Sequence, residues 1–282
     1  MVRCQQVTIV GLGLVGGSLG MAIRRRRLAA SVVGFSRKPS TLRRAKARGA
    51  IDAGTTDLKQ AVQHADVVVL ATPLDAIVSY AQRAARFMHP GSVVTDVGSL
   101  KGPIVHRLER TMPFGVAFVG AHPLAGSEQR GIEAAEADLF DGSVCIVTAT
   151  RWTDRRSRRL VESLWKPLVG RIEVMDPASH DVLLGAVSHF PHLLAYALVA
   201  ATDRKALALA PRSFRDMTRI AKSDPDLWDD IFVENWVGLL AAKVHFDRAW
   251  RTLQRALTRG RRGRLRQLLR SAQAKRYALE EV

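Results

Sequence analysis

The 282-residue sequence predicts an α/β fold, a parallel sheet with helical crossovers, followed by an all-helical region. Three observations carry this. Short β-branched runs alternate with helical segments through the first half of the chain. A glycine-rich turn follows the first run. No convincing strand occurs after Asp176-Pro177. Strands alternating with helices of this size indicate parallel pairing with right-handed crossovers. The expected division is residues 1–176 for the sheet domain and 177–282 for the helical one.

The strands expected in order are QVTIV (6–10), SVVGF (31–35), DVVVLA (66–71), SVVTDV (92–97) and VAFVGA (116–121), then SVCIVTA (143–149) and RIEVM (171–175). A helix is expected over 178–203. Pro191 inside it removes one backbone bond, so a kink and an orphaned carbonyl near 187 are expected. Asp224-Pro225 starts another helix, with Asp224 as N-cap and proline at the first helical position. The apolar pattern then runs on towards Gly260, and a last helix covers 263–279. Apolar helices this long need something to pack against, and a second subunit is the economical partner.

Composition excludes several classes. Hydrophobic residues at 47% and charged residues at 24% are ordinary for a globular chain. Cys4 and Cys145 stand in different segments, which suggests neither a disulfide framework nor a zinc site and fits a reducing cytoplasm. The apolar run Val7–Ile23 contains five glycines, so it reads as a nucleotide loop rather than a signal peptide or membrane span. A net charge of +17 raises the question of nucleic acid. The excess lies in arginine runs with little aromatic interleaving and no nucleic-acid motif. A solvated basic surface is the plainer reading, and such a field can also steer small polyanions.

The first strand runs into GLGLVGGS, with Gly11, Gly13 and Gly16 in G-x-G-x-x-G spacing around Leu14 and Val15. The pattern allows a tight turn, a close backbone approach to pyrophosphate, and a helix amino terminus aimed at it. It follows a strand and opens a helix, so the first domain reads as a Rossmann-type dinucleotide-binding domain. In such sheets ligands bind beyond the carboxyl ends of the strands. Thr72 and Pro73 would pass the adenosine side, and Asp96, Ser99 and His122 would lie nearer the nicotinamide. The second strand ends in Ser36-Arg37-Lys38, without the acid that usually binds the ribose 2′-hydroxyl. A hydroxyl and a guanidinium can instead bind a 2′-phosphate, so NADP is expected over NAD. A basic loop that merely adds to a basic surface is the competing reading.

The stretch GAHPLAGSE (120–128) ends an apolar run with an ionisable imidazole. A lone histidine is more often structural than catalytic, but this one stands where a substrate meets the cofactor. The set GLGLVGGS, DVGSLKG, HPLAGSE, SHFPH (188–192) and RDMTRIAKSDPDLW (215–228) resembles the prephenate/arogenate dehydrogenase family of tyrosine biosynthesis, across nearly the whole chain and in the family's order. That resemblance implies a helical dimerisation domain and oxidative decarboxylation of prephenate or L-arogenate. It gives His122 the base role towards the ring C4 hydroxyl and Ser99 a hydrogen bond to that histidine beside the nicotinamide. Arg219 would hold a substrate carboxylate, and Ser188, His189 and His192 would face or support the substrate. Ser127 and Glu128 belong to the same turn; Glu128 either orients Arg219 or caps its own turn. The resemblance also implies a homodimer, and neither an appended mutase nor a regulatory domain is expected.

Other readings stay open. His189 and His192 are conceivable metal ligands, but with no third ligand in sight no metal is expected. Asp216 and Arg219 could simply pair on a helix surface. A β-hydroxyacid-type dehydrogenase shares the two-domain plan, although Lys222 matches its catalytic lysine poorly. A non-catalytic nucleotide-sensing or nucleic-acid-binding protein would explain the charge but leave Ser99, His122 and Arg219 unused.

Overall fold

The fold is described from a computed structural model covering residues 4–126, 129–258, 260 and 262–280. The first sheet is built by β1 (Cys4–Val10), α1 (Leu14–Arg25), β2 (Ala29–Phe35), α2 (Pro39–Ala47), β3 (Ala53–Thr55), α3 (Leu58–Val62), β4 (Val67–Leu70), α4 (Leu74–Ala85), β5 (Val93–Asp96), α5 (Gly102–Thr111) and β6 (Ala117–Val119). Its six strands lie in the order β3-β2-β1-β4-β5-β6, each pairing parallel. This is the doubly wound order, and the chain reverses direction across the sheet between β1 and β4. The apolar VVVL of β4 is fully buried because helices cover both faces of the sheet.

The run 116–121 is not one strand. It breaks at Gly120 into β6 and β7 (Ala121–Pro123), and β7 leaves the first sheet for a second one. Asp96 at the end of β5 takes the Ala121 amide at 3.2 Å, so the ladder stops there. Thr148 crowds Gly120, whose Cβ would stand 2.6 Å from its hydroxyl. The later strands β8 (Val144–Thr148) and β9 (Arg171–Met175), separated by α6 (Arg155–Trp165), therefore form a mixed three-stranded sheet with β7 rather than extending the first. The three-residue β3, with two of its residues exposed, has no β-branched run to betray it.

The carboxyl-terminal part is helical: α7 (Pro177–Leu184), a π turn (Gly185–His189), α8 (Phe190–Ala201), α9 (Arg204–Ala208), α10 (Arg212–Met217), a 3-10 turn (Arg219–Lys222), α11 (Pro225–Glu234), α12 (Trp236–Thr258) and α13 (Arg262–Tyr277). The π turn answers the Pro191 problem. It shifts the hydrogen-bond ladder so that proline falls in the first turn of α8, where its missing N–H is not needed. The Ser188 carbonyl finds a side-chain donor instead, His192 Nδ1 at 2.9 Å. Asp224 caps α11 as expected, accepting from the Asp226 amide at 3.2 Å.

The long helix towards Gly260 is interrupted at Asn235, which takes a non-helical conformation between α11 and α12. A close approach explains the break: Gly185 of the π turn packs directly on the backbone of Gly238. Much apolar surface remains uncovered in the single chain, including Val187, Trp236, Val237, Leu240, Val244 and Trp250, each at least half exposed. Among the described residues one helical run, Pro177–Ala201, is long and apolar enough to cross a membrane by length and composition.

Candidate active site

The glycine turn has the geometry its spacing predicts. Gly11 sits at φ +97°, and a Cβ there would run into the Ala71 carbonyl. Gly16 presses on the Gly11 carbonyl. Gly13 differs: it caps α1, and a Cβ added to it would meet nothing within 4 Å. That open space at the amino terminus of a 12-residue helix without acids in its first turn suits a pyrophosphate. Across the turn, the buried Thr72 hydroxyl has no hydrogen-bond partner among the described residues, and Pro73 caps α4. A dinucleotide fits this cradle on both counts.

At the outer end of β2 the Ser36 hydroxyl accepts from the Lys38 amide at 3.2 Å, and Arg37 is exposed. The Asp96 side chain does not line the cleft beside the glycine turn. It is wholly buried, ion-paired with the equally buried Lys101, and accepts the amides of Gly98 at 3.0 Å and Ala121 at 3.2 Å. Its carboxylate is consumed in fastening β5, α5 and β7 together, which corrects the expectation of cofactor contact through that side chain.

Beside the cradle opens a cleft of about 660 Å³, within the range of ligand pockets. Leu14, Val15, Ser99 and His122 line its sheet side; Ser188, His189, His192, Arg219 and Trp228 line its helical side. The structure thus brings together the described catalytic and substrate-side residues singled out from sequence, with Leu14 and Val15 of the glycine turn. Ser127 and Glu128 lie outside the described residues.

His122 stands in the middle of the short strand β7, opposite Ile146 of β8, with only 9% of its surface exposed. Its Nδ1 lies 2.9 Å from His180 Nε2. His180 Nδ1 in turn lies 2.7 Å from Asp181 Oδ1. Asp181 accepts the backbone amides of Lys101 at 2.9 Å and Gly102 at 2.8 Å, where α5 begins. Burial holds the His122 pKa well below the usual imidazole value, and the neighbouring His180, Lys101 and His189 push it the same way. The ring is therefore neutral at physiological pH and able to accept a proton. No hydrogen bond joins Ser99 to His122 among the described residues; the histidine is held from behind, by His180.

On the opposite wall His189 is also buried, and desolvation chiefly lowers its pKa to about 4. Asn235 Nδ2 donates to its Nδ1 at 2.8 Å and to the Asp181 carbonyl at 2.8 Å. With Nδ1 accepting, the neutral ring carries its hydrogen on Nε2, which lacks a partner among the described residues. That leaves a donor for a ligand in the cleft. His192 stacks on Trp228 with ring centroids 3.5 Å apart, so Trp228 both packs and lines the site. Asp216 pairs with Arg212 at 3.6 Å, and Arg219 follows α10 on the 3-10 turn at the cleft rim. Arg130 and Asp224 form an ion pair at the cleft mouth.

Sequence reasoning missed His180, Asp181, Asn235 and Arg130. A His-Asp pair followed by an apolar helix was the available signal for the first two, since buried polar groups on such a helix need partners. No cluster of three His, Cys, Asp or Glu side chains capable of holding a metal occurs among the described residues. Lys222 is exposed and does not line the cleft.

A dinucleotide cradle abutting a cleft with a neutral, buried imidazole defines a dehydrogenase of the nicotinamide-dependent class. Comparison with known proteins gives the family. The prephenate dehydrogenase nucleotide-binding domain model matches residues 19–174, and the prephenate dehydrogenase dimerization domain model matches residues 176–271. The chain belongs to the prephenate/arogenate dehydrogenase family and is an oxidoreductase that uses a nicotinamide dinucleotide.

Among solved structures it is similar to prephenate dehydrogenase from A. aeolicus in complex with hydroxyphenyl propionate and NAD+, with 34% identity, TM-score 0.90 and 98% of each chain covered. Arogenate dehydrogenase from Synechocystis matches with 29% identity and TM-score 0.85, over 97% of this chain and 99% of that one. The cyclohexadienyl dehydrogenase of Zymomonas mobilis is 33% identical over 249 residues, 86% of this chain and 85% of that protein. The chain spans 64% and 65% of the longer prephenate dehydrogenases of Bacillus subtilis and Lactococcus lactis. A 3-hydroxyisobutyrate dehydrogenase from Salmonella typhimurium, at 16% identity and TM-score 0.56, shares the fold alone.

Proposed function

We propose that this chain oxidatively decarboxylates prephenate or L-arogenate, giving 4-hydroxyphenylpyruvate or L-tyrosine. The observation that carries the reading is the neutral His122 at the floor of a cleft, with the Gly13 cradle on one side and Arg219 on the other. Gly11, Gly13, Gly16 and the first turn of α1 (Leu14, Val15) would seat the pyrophosphate, with Thr72 and Pro73 along its flank. A nicotinamide bound there would supply the acceptor for the hydride of ring C4. His122 takes the proton of the C4 hydroxyl as the hydride departs. The ring carboxylate leaves as carbon dioxide, the ring becomes aromatic, and the C4 oxygen recovers the proton as a phenol. General-base assistance of this kind is worth about 10²–10⁴ in rate.

Arg219 binds a substrate carboxylate in this reading. His189 offers its Nε2 hydrogen as a donor, Ser188 and His192 complete that wall, and Ser99, which lines the same cleft as His122, would lie beside the nicotinamide. Trp228 and His192 supply an aromatic face for the ring. The domains divide at 176/177, just before the Pro177 that opens α7.

NADP is the proposed cofactor, because Ser36 and Arg37 stand where an acid would otherwise meet the ribose. NAD is the second reading, favoured by the NAD+ complex of the A. aeolicus relative. A kcat/KM ratio for the two cofactors decides between them. The exposed apolar faces of α8 and α12 support a homodimer, and burial there also accounts for the apolar character of Pro177–Ala201 without a membrane. The free, buried Cys4 and Cys145, whose thiols burial pushes up to about 11 and about 12, fit a reducing cytoplasm. The test of the function is formation of reduced cofactor at 340 nm with each substrate.

A further inference from the structure

We propose that His180 and Asp181 are positioning residues that fix the tautomer of His122 and share the charge it acquires when it takes a proton. The proposal rests on the reading of His122 as the base.

Asp181 anchors the chain of hydrogen bonds behind His122. Its carboxylate accepts two backbone amides at the start of the ten-residue helix α5, Lys101 N on Oδ1 and Gly102 N on Oδ2. An anion is favoured at that position by both the amides and the helix dipole. An ionised carboxylate only accepts, so His180 Nδ1 must donate to Asp181 Oδ1 across 2.7 Å. A neutral His180 then has a bare Nε2. That nitrogen faces His122 Nδ1 at 2.9 Å, so His122 must carry its hydrogen on Nδ1. The remaining nitrogen of His122, Nε2, is left with a free lone pair, and His122 lines the cleft. The chain of accepting and donating groups allows no other assignment with both rings neutral.

The arrangement is built rather than incidental. His180 is wholly buried, and Asp181 is nearly so. A Cβ at Gly102 would stand 2.7 Å from Asp181 Oδ2, so the absence of a side chain there is what admits the carboxylate. Asn235 holds the Asp181 backbone carbonyl as well. When His122 Nε2 takes the substrate proton, the imidazolium keeps its Nδ1–H on His180 Nε2 and its charge is stabilised by that acceptor and by the Asp181 carboxylate beyond it; the Nε2 proton returns to the C4 oxygen as the phenol forms. No proton leaves the site.

The charged and titratable groups around His122 include Lys101 with its partner Asp96, from the turn before α5 and from β5, Cys145 from β8, His180 and its partner Asp181 from α7, and His189 from the π turn. Lys101 is ion-paired with Asp96, and Asp181 is the carboxylate in line with His180 and His122.

Two measurements test this. In wild-type protein with nitrogen-15-labelled histidines, eight in the chain, the His122 signals are assigned by their loss in His122→Asn. The expected spectrum has Nδ1 protonated and Nε2 bare; protonated Nε2 with bare Nδ1 overturns the proposal. Second, His180→Phe removes the acceptor, whereas His180→Gln keeps an acceptor for His122 and a donor for Asp181. His180→Phe should lower kcat on the order of 10²-fold with KM little changed, and His180→Gln should restore most of it. Equal losses in both variants, or near wild-type kcat in His180→Phe, contradict it. The tautomer is read without substrate. An active enzyme with the opposite tautomer sinks the relay alone, and an inactive one with the expected tautomer sinks only the substrate reading.

Discussion

The two walls of the cleft are built differently. The sheet wall is rigid: His122 rises from a paired strand, its partner His180 is fully buried, and the carboxylate behind them is pinned by helix amides. On the helical wall His189 and Trp228 are buried, but Arg219 comes from a short 3-10 turn after α10, and neither of those two elements contains a buried residue. Such segments open at little cost in free energy. The difference suggests a division of labour, with chemistry placed on the firm wall and recognition on the one that can yield as substrate enters. Losses on the first wall should then fall on kcat and losses on the second on KM.

The largest expected effect is at His122. His122→Asn should lower kcat on the order of 10² or more while leaving cofactor affinity nearly intact, since the ring lies off the glycine cradle. Isothermal titration with the cofactor beside steady-state kinetics checks both halves, and a near wild-type kcat removes His122 from the mechanism. Arg219→Ala should raise KM instead, by roughly 30-fold if the loss is near the lower end of about 2–5 kcal/mol for unpairing a carboxylate. A KM that hardly moves would mean that Arg219 serves the surface and not the substrate, and the contrast between the walls would fail. At the cofactor end, Ser36→Asp combined with Arg37→Ala should turn preference towards NAD. A wild-type kcat/KM already favouring NAD refutes the reading of that turn.

Smaller effects follow from pH. His122 must be neutral to act, and its pKa lies well below the ordinary 6.5, so kcat/KM should hold constant through neutrality and fall only on an acid limb below 6.5. A limb centred at or above 6.5 would deny the desolvated base. Stability should follow the same sign. His122, His180 and His189 all have lowered pKa values in the folded chain, so the unfolded chain binds more protons as pH falls through 6.5. Thermal midpoints should be flat above that value and decline below it, down towards the His189 value of about 4. The proposed homodimer offers a last contrast between the two halves of the chain, because the sheet domain covers its own core and the helices leave apolar surface exposed. A sedimentation mass near the monomer's 31.0 kDa at micromolar concentration would contradict the homodimer.

Much of the sheet domain was legible because its information is local. Buried parallel strands read as β-branched runs, and Gly11, Gly13 and Gly16 mark a turn with strict steric demands. The break at Gly120 was not legible, since it depends on Asp96 and Thr148, which stand far from it in sequence. The same holds for Asp96. Its position at a strand end suggests a ligand contact, and only the buried Lys101 beside it reveals an internal task. In the helical domain Pro191 and Asp224 carried their own signals. The interruption at Asn235 did not, because it follows from Gly238 meeting Gly185 across 53 residues of sequence. The His180–Asp181 support was hidden for a similar reason: its meaning lies in His122, contributed by the other domain.

The central claim is that a neutral His122 drives the oxidation of a cyclohexadienol held against a nicotinamide. The most direct test is the rise in absorbance at 340 nm when purified protein meets prephenate or L-arogenate with NADP or NAD, run beside His122→Asn under the same conditions. The account predicts reduced cofactor formed in step with carbon dioxide by the wild type, and a rate lower on the order of 10² or more for the variant. No reduced cofactor from either substrate, or equal rates with and without the imidazole, would contradict it.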